Sequence, residues 1–120
     1  MFRELYPILS TTRMTDMLHF YGDLLGARQT YRFPDDGPPA YVGLTLGAGS
    51  EFGLAATETP PSARHHIDLC VYADDCDAAV AHLRDHGVTI TEEPADQPWG
   101  ERMARATDPD GNPLVILARL

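Results

Sequence analysis

An internal repeat, with a period of about half the chain, constrains the fold most. An apolar run at residues 5–10 precedes TTRMTDMLHFYGDLLG, in which apolar residues recur at helical spacing. The same order returns at HHIDLCVYA and DDCDAAVAHLRDHG. The glycines that end the two helical segments, Gly26 and Gly87, lie 61 positions apart in a chain of 120 residues. Internal similarity of this kind indicates two paired structural modules.

Strand patterns complete each half of the repeat. Three predicted strands follow each helix, at residues 28–33, 41–46 and 51–56 and at residues 88–93, 102–107 and 114–120. Turn-forming stretches such as PDDGPP and DPDGN separate them. Thr12 and Asp75 are expected to cap the two helices. The order strand, helix, three strands therefore occurs twice, which predicts an α+β fold.

The length of the chain favours one domain over residues 1–120. Within it we expect module one at 1–56, a linker at 57–64, where the sequence TETPPSAR is rich in proline and polar residues, and module two at 65–120.

Composition argues against several classes of protein. The 18 acidic residues outnumber the 9 basic ones, and the net charge of −9 would repel a nucleic acid. No apolar run reaches about 18 residues and the first residues lack a signal-peptide pattern, so we expect a cytoplasmic protein without membrane contact. Cys70 and Cys76 lack the spacing of a zinc site, and both are predicted to be reduced packing residues.

Three stretches, FYGDLLG, HHIDLCV and PWGERMARATDPDGNPLVIL, together resemble the vicinal oxygen chelate superfamily. This superfamily groups glyoxalase I, extradiol dioxygenases and bleomycin-binding resistance proteins. The resemblance covers nearly the whole chain. It implies two βαβββ modules whose curled mixed sheets surround a cleft, and it implies a homodimer, since short single-chain members commonly build their clefts between two copies.

Metal-dependent members of that superfamily carry four ligand positions. The resemblance places them near Tyr6, Gly53, His66 and Val115. Only His66 is a ligand type, and one imidazole binds a divalent ion far too weakly to hold it. The resemblance to the metal-free, bleomycin-resistance-like branch therefore implies no cofactor. A divalent metal held through His66 is the alternative.

His66 and Asp68 are expected to share the cleft-facing side of a strand with Cys70, since alternate residues of a strand point to the same face. Hydrogen bonding within a polar cleft wall is the simplest role for His66. If the protein is an enzyme, His66 and Asp68 are its candidate proton carriers.

Aromatic residues supply the other candidates for a site. Trp99, in the loop ADQPWG, is either a lid on the core or an exposed platform for stacking. Phe33 and Tyr41 are candidates for the rim of a cleft. Arg102 and Arg105 fall on opposite faces of one strand, so that at most one of them lines the cleft.

These features predict a metal-free small-molecule binding protein of the glyoxalase/bleomycin resistance type. It would sequester a cationic or aromatic ligand, such as an antibiotic, in the clefts of a homodimer. The alternatives are a glyoxalase- or dioxygenase-like enzyme (lyase, isomerase or oxygenase) that uses His66, and a domain that works as a partner of other proteins. The predicted ligand-binding residues are Tyr6, Phe33, Tyr41, His66, Asp68, Trp99 and Arg102.

Overall fold

The computed structural model describes residues 1, 4, 6–59 and 68–120. The chain divides into two compact units, Met1–Pro61 and Ser62–Leu120. Each unit has a four-stranded mixed sheet and one helical segment, in the order strand, helix, three strands. The predicted fold class, α+β with two βαβββ modules, is confirmed. None of the helices in the described residues is long and apolar enough to cross a membrane.

Unit 1 has the sheet order β1-β4-β3-β2, in which β1 and β4 are parallel and the other neighbours are antiparallel. Its elements are β1 (Ile8–Thr11), α1 (Met14–Leu18, continued by a π-helical turn at His19–Leu24), β2 (Arg28–Phe33), β3 (Tyr41–Leu46) and β4 (Ser50–Ala56).

The start of α1 differs from the prediction. Arg13, not Thr12, occupies the N-cap position, and no side chain caps the helix there. The Thr11 hydroxyl instead accepts a hydrogen bond of 2.9 Å from the Arg13 backbone N–H. Strand β1 runs to Thr11, one residue further than predicted, and this places the Thr11 hydroxyl at the turn into the helix. Gly26 has the expected left-handed conformation, with φ +85°.

The π-helical turn allows two large neighbouring side chains to enter the core together. Phe20 and Tyr21 are each only 2% exposed, and their rings meet edge to face with centroids 4.9 Å apart. Tyr21 also meets Phe52 of β4 at 5.1 Å. A regular α-helix turns consecutive residues by about 100°, whereas the wider turn brings both rings toward the sheet. This helical segment therefore covers one face of the sheet of unit 1.

Unit 2 repeats the arrangement, with the sheet order β5-β8-β7-β6 and a parallel pairing of β5 with β8. Its elements are β5 (Leu69–Tyr72), α2 (Cys76–Asp85), β6 (Ile90–Asp96), β7 (Glu101–Thr107) and β8 (Pro113–Arg119).

The predicted cap of α2 is confirmed. The Asp75 carboxylate accepts a hydrogen bond of 3.0 Å from the Ala78 backbone N–H. Cys76, the first residue of α2, is buried, as expected, but the prediction that Cys70 is a packing residue is wrong, because its side chain is exposed. Cys70 pairs with Val115 on the face of the sheet opposite to α2.

The DPDGN turn forms as its sequence indicates. The Asp108 carboxylate, 4% exposed, accepts hydrogen bonds from the backbone N–H groups of Asp110 and Asn112, each at 2.9 Å, and from the Asn112 side-chain amide at 2.7 Å. Gly111 supplies a φ of +83°. This turn fixes the connection between β7 and β8.

Candidate functional site

The sheet of unit 1 has one face that its helical segment does not cover, here called the open face. Paired residues of neighbouring strands share a face, so Tyr31 lies here opposite Gly43, and Phe33 lies opposite Tyr41. The side chains of Tyr31 and Phe33 are 57% and 59% exposed, and Tyr6, two residues before β1, is 49% exposed. Aromatic rings that stay exposed together on one surface are typical of a binding site.

Two glycines form the floor of the open face. Gly53 pairs with Ile8 on one side and with Gly43 on the other, so the centre of this row carries no side chain. The Tyr41 ring lies over Gly53, because a Cβ atom at position 53 would stand 2.1 Å from the Tyr41 hydroxyl oxygen. Only glycine allows the ring to rest against the strand in this way.

A groove of about 490 Å³ opens between these rings. Tyr31 and Tyr41 meet edge to face, with centroids 6.0 Å apart. Burial, together with the neighbouring charges of Tyr6, Glu51 and Tyr31, raises the pKa of Tyr41. The tyrosine groove, as it is called below, is lined by Tyr6, Ile8, Tyr31, Tyr41, Gly43 and Glu51.

A second aromatic group surrounds Glu101 at the start of β7 in unit 2. The Glu101 carboxylate accepts hydrogen bonds from the Trp99 indole N–H at 2.8 Å and from the Tyr72 hydroxyl at 2.6 Å. The hydrogen bond to Glu101 raises the pKa of Tyr72. The Arg119 guanidinium lies 4.4 Å from the centroid of the Tyr72 ring, and its positive charge opposes that increase. Trp99 is 60% exposed, so its ring is available for stacking. Its contact with a ligand stays a prediction.

Arg102 lies on the side of the unit 2 sheet that faces α2. Its guanidinium forms ion pairs of 2.9 Å with Asp77 of α2 and with Asp96 of β6. The hydrogen bonds that the guanidinium donates to these two carboxylates raise the pKa of Arg102. Arg102 is thus held by protein carboxylates beside the helix, and this placement does not favour the predicted ligand contact.

Arg105 points to the opposite side of the same sheet, where Cys70 also lies. It contacts the Asp68 carboxylate at 3.6 Å and the Glu92 carboxylate at 3.0 Å. Of the two arginines, Arg105 is therefore the one on the face of the unit 2 sheet opposite to α2. Asp68, the residue before β5, has Arg105 as its partner, and its predicted place in a cleft stays a prediction.

Comparison with known proteins agrees with this architecture. The model of the Glyoxalase/Bleomycin resistance protein/Dioxygenase superfamily matches residues 5–116. The chain belongs to this superfamily. The resemblance inferred from the three sequence stretches is thereby confirmed. No curated protein sequence matches the chain.

Solved structures of the superfamily share the fold over nearly the full length of the chain. A member from Sphaerobacter thermophilus is 24% identical, with a TM-score of 0.78 and coverage of 98% of both chains. TnmS3, an antibiotic binding protein from Streptomyces sp. CB03234, is 25% identical, with a TM-score of 0.76 and coverage of 100% of this chain and 99% of that chain. A bleomycin resistance determinant encoded on transposon Tn5 is 21% identical, with a TM-score of 0.73 and coverage of 98% of both.

The residues at the superfamily's metal-ligand positions do not fit a metal ion in the described part of the chain. Gly53 has no donor side chain and is covered by the Tyr41 ring, and Val115 is a buried hydrocarbon. Tyr6 offers only a phenol. Residues 1, 4, 6–59 and 68–120 contain no group of three histidine, cysteine, aspartate or glutamate side chains placed to hold a metal. His66 lies outside the described residues, so its predicted roles stay predictions.

The structure brings together three of the predicted site residues, Tyr6, Phe33 and Tyr41, on one face of unit 1. Tyr31 and Glu51, which complete the groove, were not predicted from the sequence. The stretch YRF carried a signal for Tyr31, because residues two apart on a strand share a face and Phe33 was already a candidate. For Glu51 no local signal existed, since a single carboxylate near a turn is ordinary at a protein surface.

Proposed function

We propose that the protein binds a small organic molecule that is cationic, aromatic or both, such as an antibiotic, and sequesters it without chemical change. The observation that carries this proposal is the open face of unit 1. Tyr6, Tyr31 and Tyr41 line a groove there together with the Glu51 carboxylate. The exposed Phe33 ring lies on the same face, opposite Tyr41.

The physical basis of binding is the burial of exposed aromatic surface. Each ring that a ligand covers gains hydrophobic and stacking energy, and a cation placed over a ring face adds an electrostatic attraction of about 0.5–1 kcal/mol at an exposed site. The net charge of −9 favours the approach of a cation further. Trp99 provides a second exposed ring for stacking.

Two of the similar structures support the class of ligand. TnmS3 is an antibiotic binding protein, and the Tn5 protein is a bleomycin resistance determinant. Both share the fold of this chain over nearly its full length. An antibiotic with a positive charge and an aromatic part is therefore the ligand class that we propose for this protein.

Titration calorimetry with bleomycin, which is cationic and has an aromatic tail, tests the proposal. We expect saturable binding to the unaltered protein, and a loss of about 1 kcal/mol or more of binding free energy in each of the variants Trp99→Ala and Tyr31→Ala. The variant His19→Ala, which alters an exposed side chain on the helical segment of unit 1, is the control and should bind as the unaltered protein does. If Tyr31→Ala bound bleomycin with undiminished affinity, the open face would not be part of the binding site. Heat signals no larger than those of dilution would contradict binding of this drug class.

We further propose that the protein works as a homodimer. Strands β2 and β6 lie at the edges of their sheets, and all six residues of β2 are exposed, which leaves a strand edge that a second copy can cover. Light scattering at the concentration of the binding experiment should give the mass of two chains. The mass of one chain would contradict the dimer.

A further inference from the structure

We propose that the tyrosine groove of unit 1 holds a tertiary or quaternary ammonium group between the phenol rings of Tyr6, Tyr31 and Tyr41, with the Glu51 carboxylate as counter-charge. The inference rests on the proposed function, because it names the part of the ligand that the open face of unit 1 takes.

The angle between the rings favours a compact group over a flat one. The planes of Tyr31 and Tyr41 are inclined by 61°, with centroids 6.0 Å apart, so they form two walls of a corner. A planar ring system can lie against only one of these walls. A tetrahedral alkylammonium group presents methyl or methylene groups to both walls at once, and each of these groups carries part of the positive charge toward a ring.

Glu51 supplies a negative charge that no ion pair among the described residues neutralises. In the described part of the chain Glu51 forms no ion pair, whereas Arg13, Arg84, Arg102 and Arg105 all pair with other carboxylates. Arg28 lies in the same row of the sheet, but it is separated from Glu51 by β3. A ligand cation in the groove would therefore give Glu51 a counter-charge that the described residues do not supply.

The walls of the groove suit an alkylated ammonium better than a primary one. A primary ammonium has three N–H donors and loses hydrogen bonds to water when it enters a site with few acceptors. The tyrosine groove offers ring faces with their phenol hydroxyls, the side chains of Ile8 and Thr30 and one carboxylate, while the backbone groups of β3 and β4 are engaged in the sheet. A tertiary ammonium has one N–H and a quaternary ammonium has none. Either therefore gives up fewer hydrogen bonds to water when it enters the groove.

Choline and its uncharged counterpart of the same shape, 3,3-dimethylbutan-1-ol, test the inference in NMR titrations of the ¹⁵N-labelled full chain. We expect choline to shift the amide signals of Gly43 and Gly53, and to bind about three- to five-fold more tightly than the alcohol because only choline is charged. The variant Glu51→Gln should lose most of this preference while its affinity for the alcohol stays unchanged. Glu58→Gln removes the same charge from another exposed site of unit 1 and should keep the preference.

Equal affinity for choline and the alcohol, or choline-induced shifts that leave the signals of Gly43 and Gly53 unmoved, would overturn the inference. Retention of the full preference in Glu51→Gln would also overturn it, since the carboxylate would then play no part. A bleomycin titration of the same sample separates the two proposals. If bleomycin binds but choline shows no preference over the alcohol, only the ammonium site is contradicted. If choline shows the preference but bleomycin does not bind, the ammonium site is supported and sequestration of that drug is contradicted.

Discussion

Replacing Gly53 by alanine is expected to lower the affinity of the tyrosine groove for choline at least five-fold while the fold is retained. The new Cβ would stand 2.1 Å from the hydroxyl oxygen and 2.6 Å from the Cζ atom of Tyr41, which is closer than real contacts allow. The Tyr41 ring is the far end of a side chain and can swing away, so the sheet should survive with a loss of less than about 1 kcal/mol of stability. The groove, however, loses one of its walls, and with it the hydrophobic contact and the cation–ring attraction of that ring, together about 1 kcal/mol.

NMR titration with choline, together with urea unfolding of the same variant, checks this result. The control is a double-mutant cycle with Tyr41→Leu: once the ring is absent, Gly53→Ala should cause almost no further loss of affinity. Independent, additive losses would mean that Gly53 acts on binding by a route other than Tyr41. Unaltered affinity in the single variant Gly53→Ala would show that the position of the Tyr41 ring does not matter for the groove.

Replacing Phe20 by alanine is expected to destabilise the protein by about 3–5 kcal/mol. Phe20 is 2% exposed and packs edge to face against Tyr21, so its removal leaves a cavity between the helical segment and the sheet of unit 1. Small domains have about 5–15 kcal/mol of stability in all, so this single change removes a large part of it.

Urea unfolding followed by far-UV circular dichroism measures the effect of Phe20→Ala. Tyr31→Ala is the matched control, because it also deletes an aromatic ring from unit 1, but one that is 57% exposed, and it should cost less than about 1 kcal/mol. If the two variants were equally destabilised, the packing of the π-helical turn against the sheet would not be as described.

Local sequence signals predicted the regular elements well. The bounds predicted for β2 and β3, residues 28–33 and 41–46, are those of the structure. Asp75 caps α2 and the DPDGN turn closes on Asp108 as expected, because each depends on hydrogen bonds between residues close in the chain. The missed features, the π-helical turn and the Thr11 hydroxyl at the start of α1, depend on how two bulky rings and the end of β1 fit the sheet.

Only part of the candidate site was predictable, because the face that a strand turns to the site is not set by local sequence. Alternation along a strand predicts that Tyr31 and Phe33 share a face, but which face they take depends on pairing with another strand. A register shift between Gln29 and Tyr31 sets Gln29 opposite Leu44, on the helix side, and Tyr31 opposite Gly43, on the open face. Without this bulge at Thr30, a regular register would put Tyr31 opposite Val42 and turn it toward the core.

The sequence by itself determined the two βαβββ units, the cap of α2, the DPDGN turn and the superfamily to which the chain belongs, because these follow from periodicity and short-range hydrogen bonding. Only the tertiary structure decided which aromatic rings meet. It set Tyr41 over Gly53 beside Tyr31 and Glu51, and it placed Arg102 against α2 and Arg105 on the other face. The physical reason is that strand register is fixed by pairing between distant segments, and a shift of one residue turns every side chain of a strand to the opposite face.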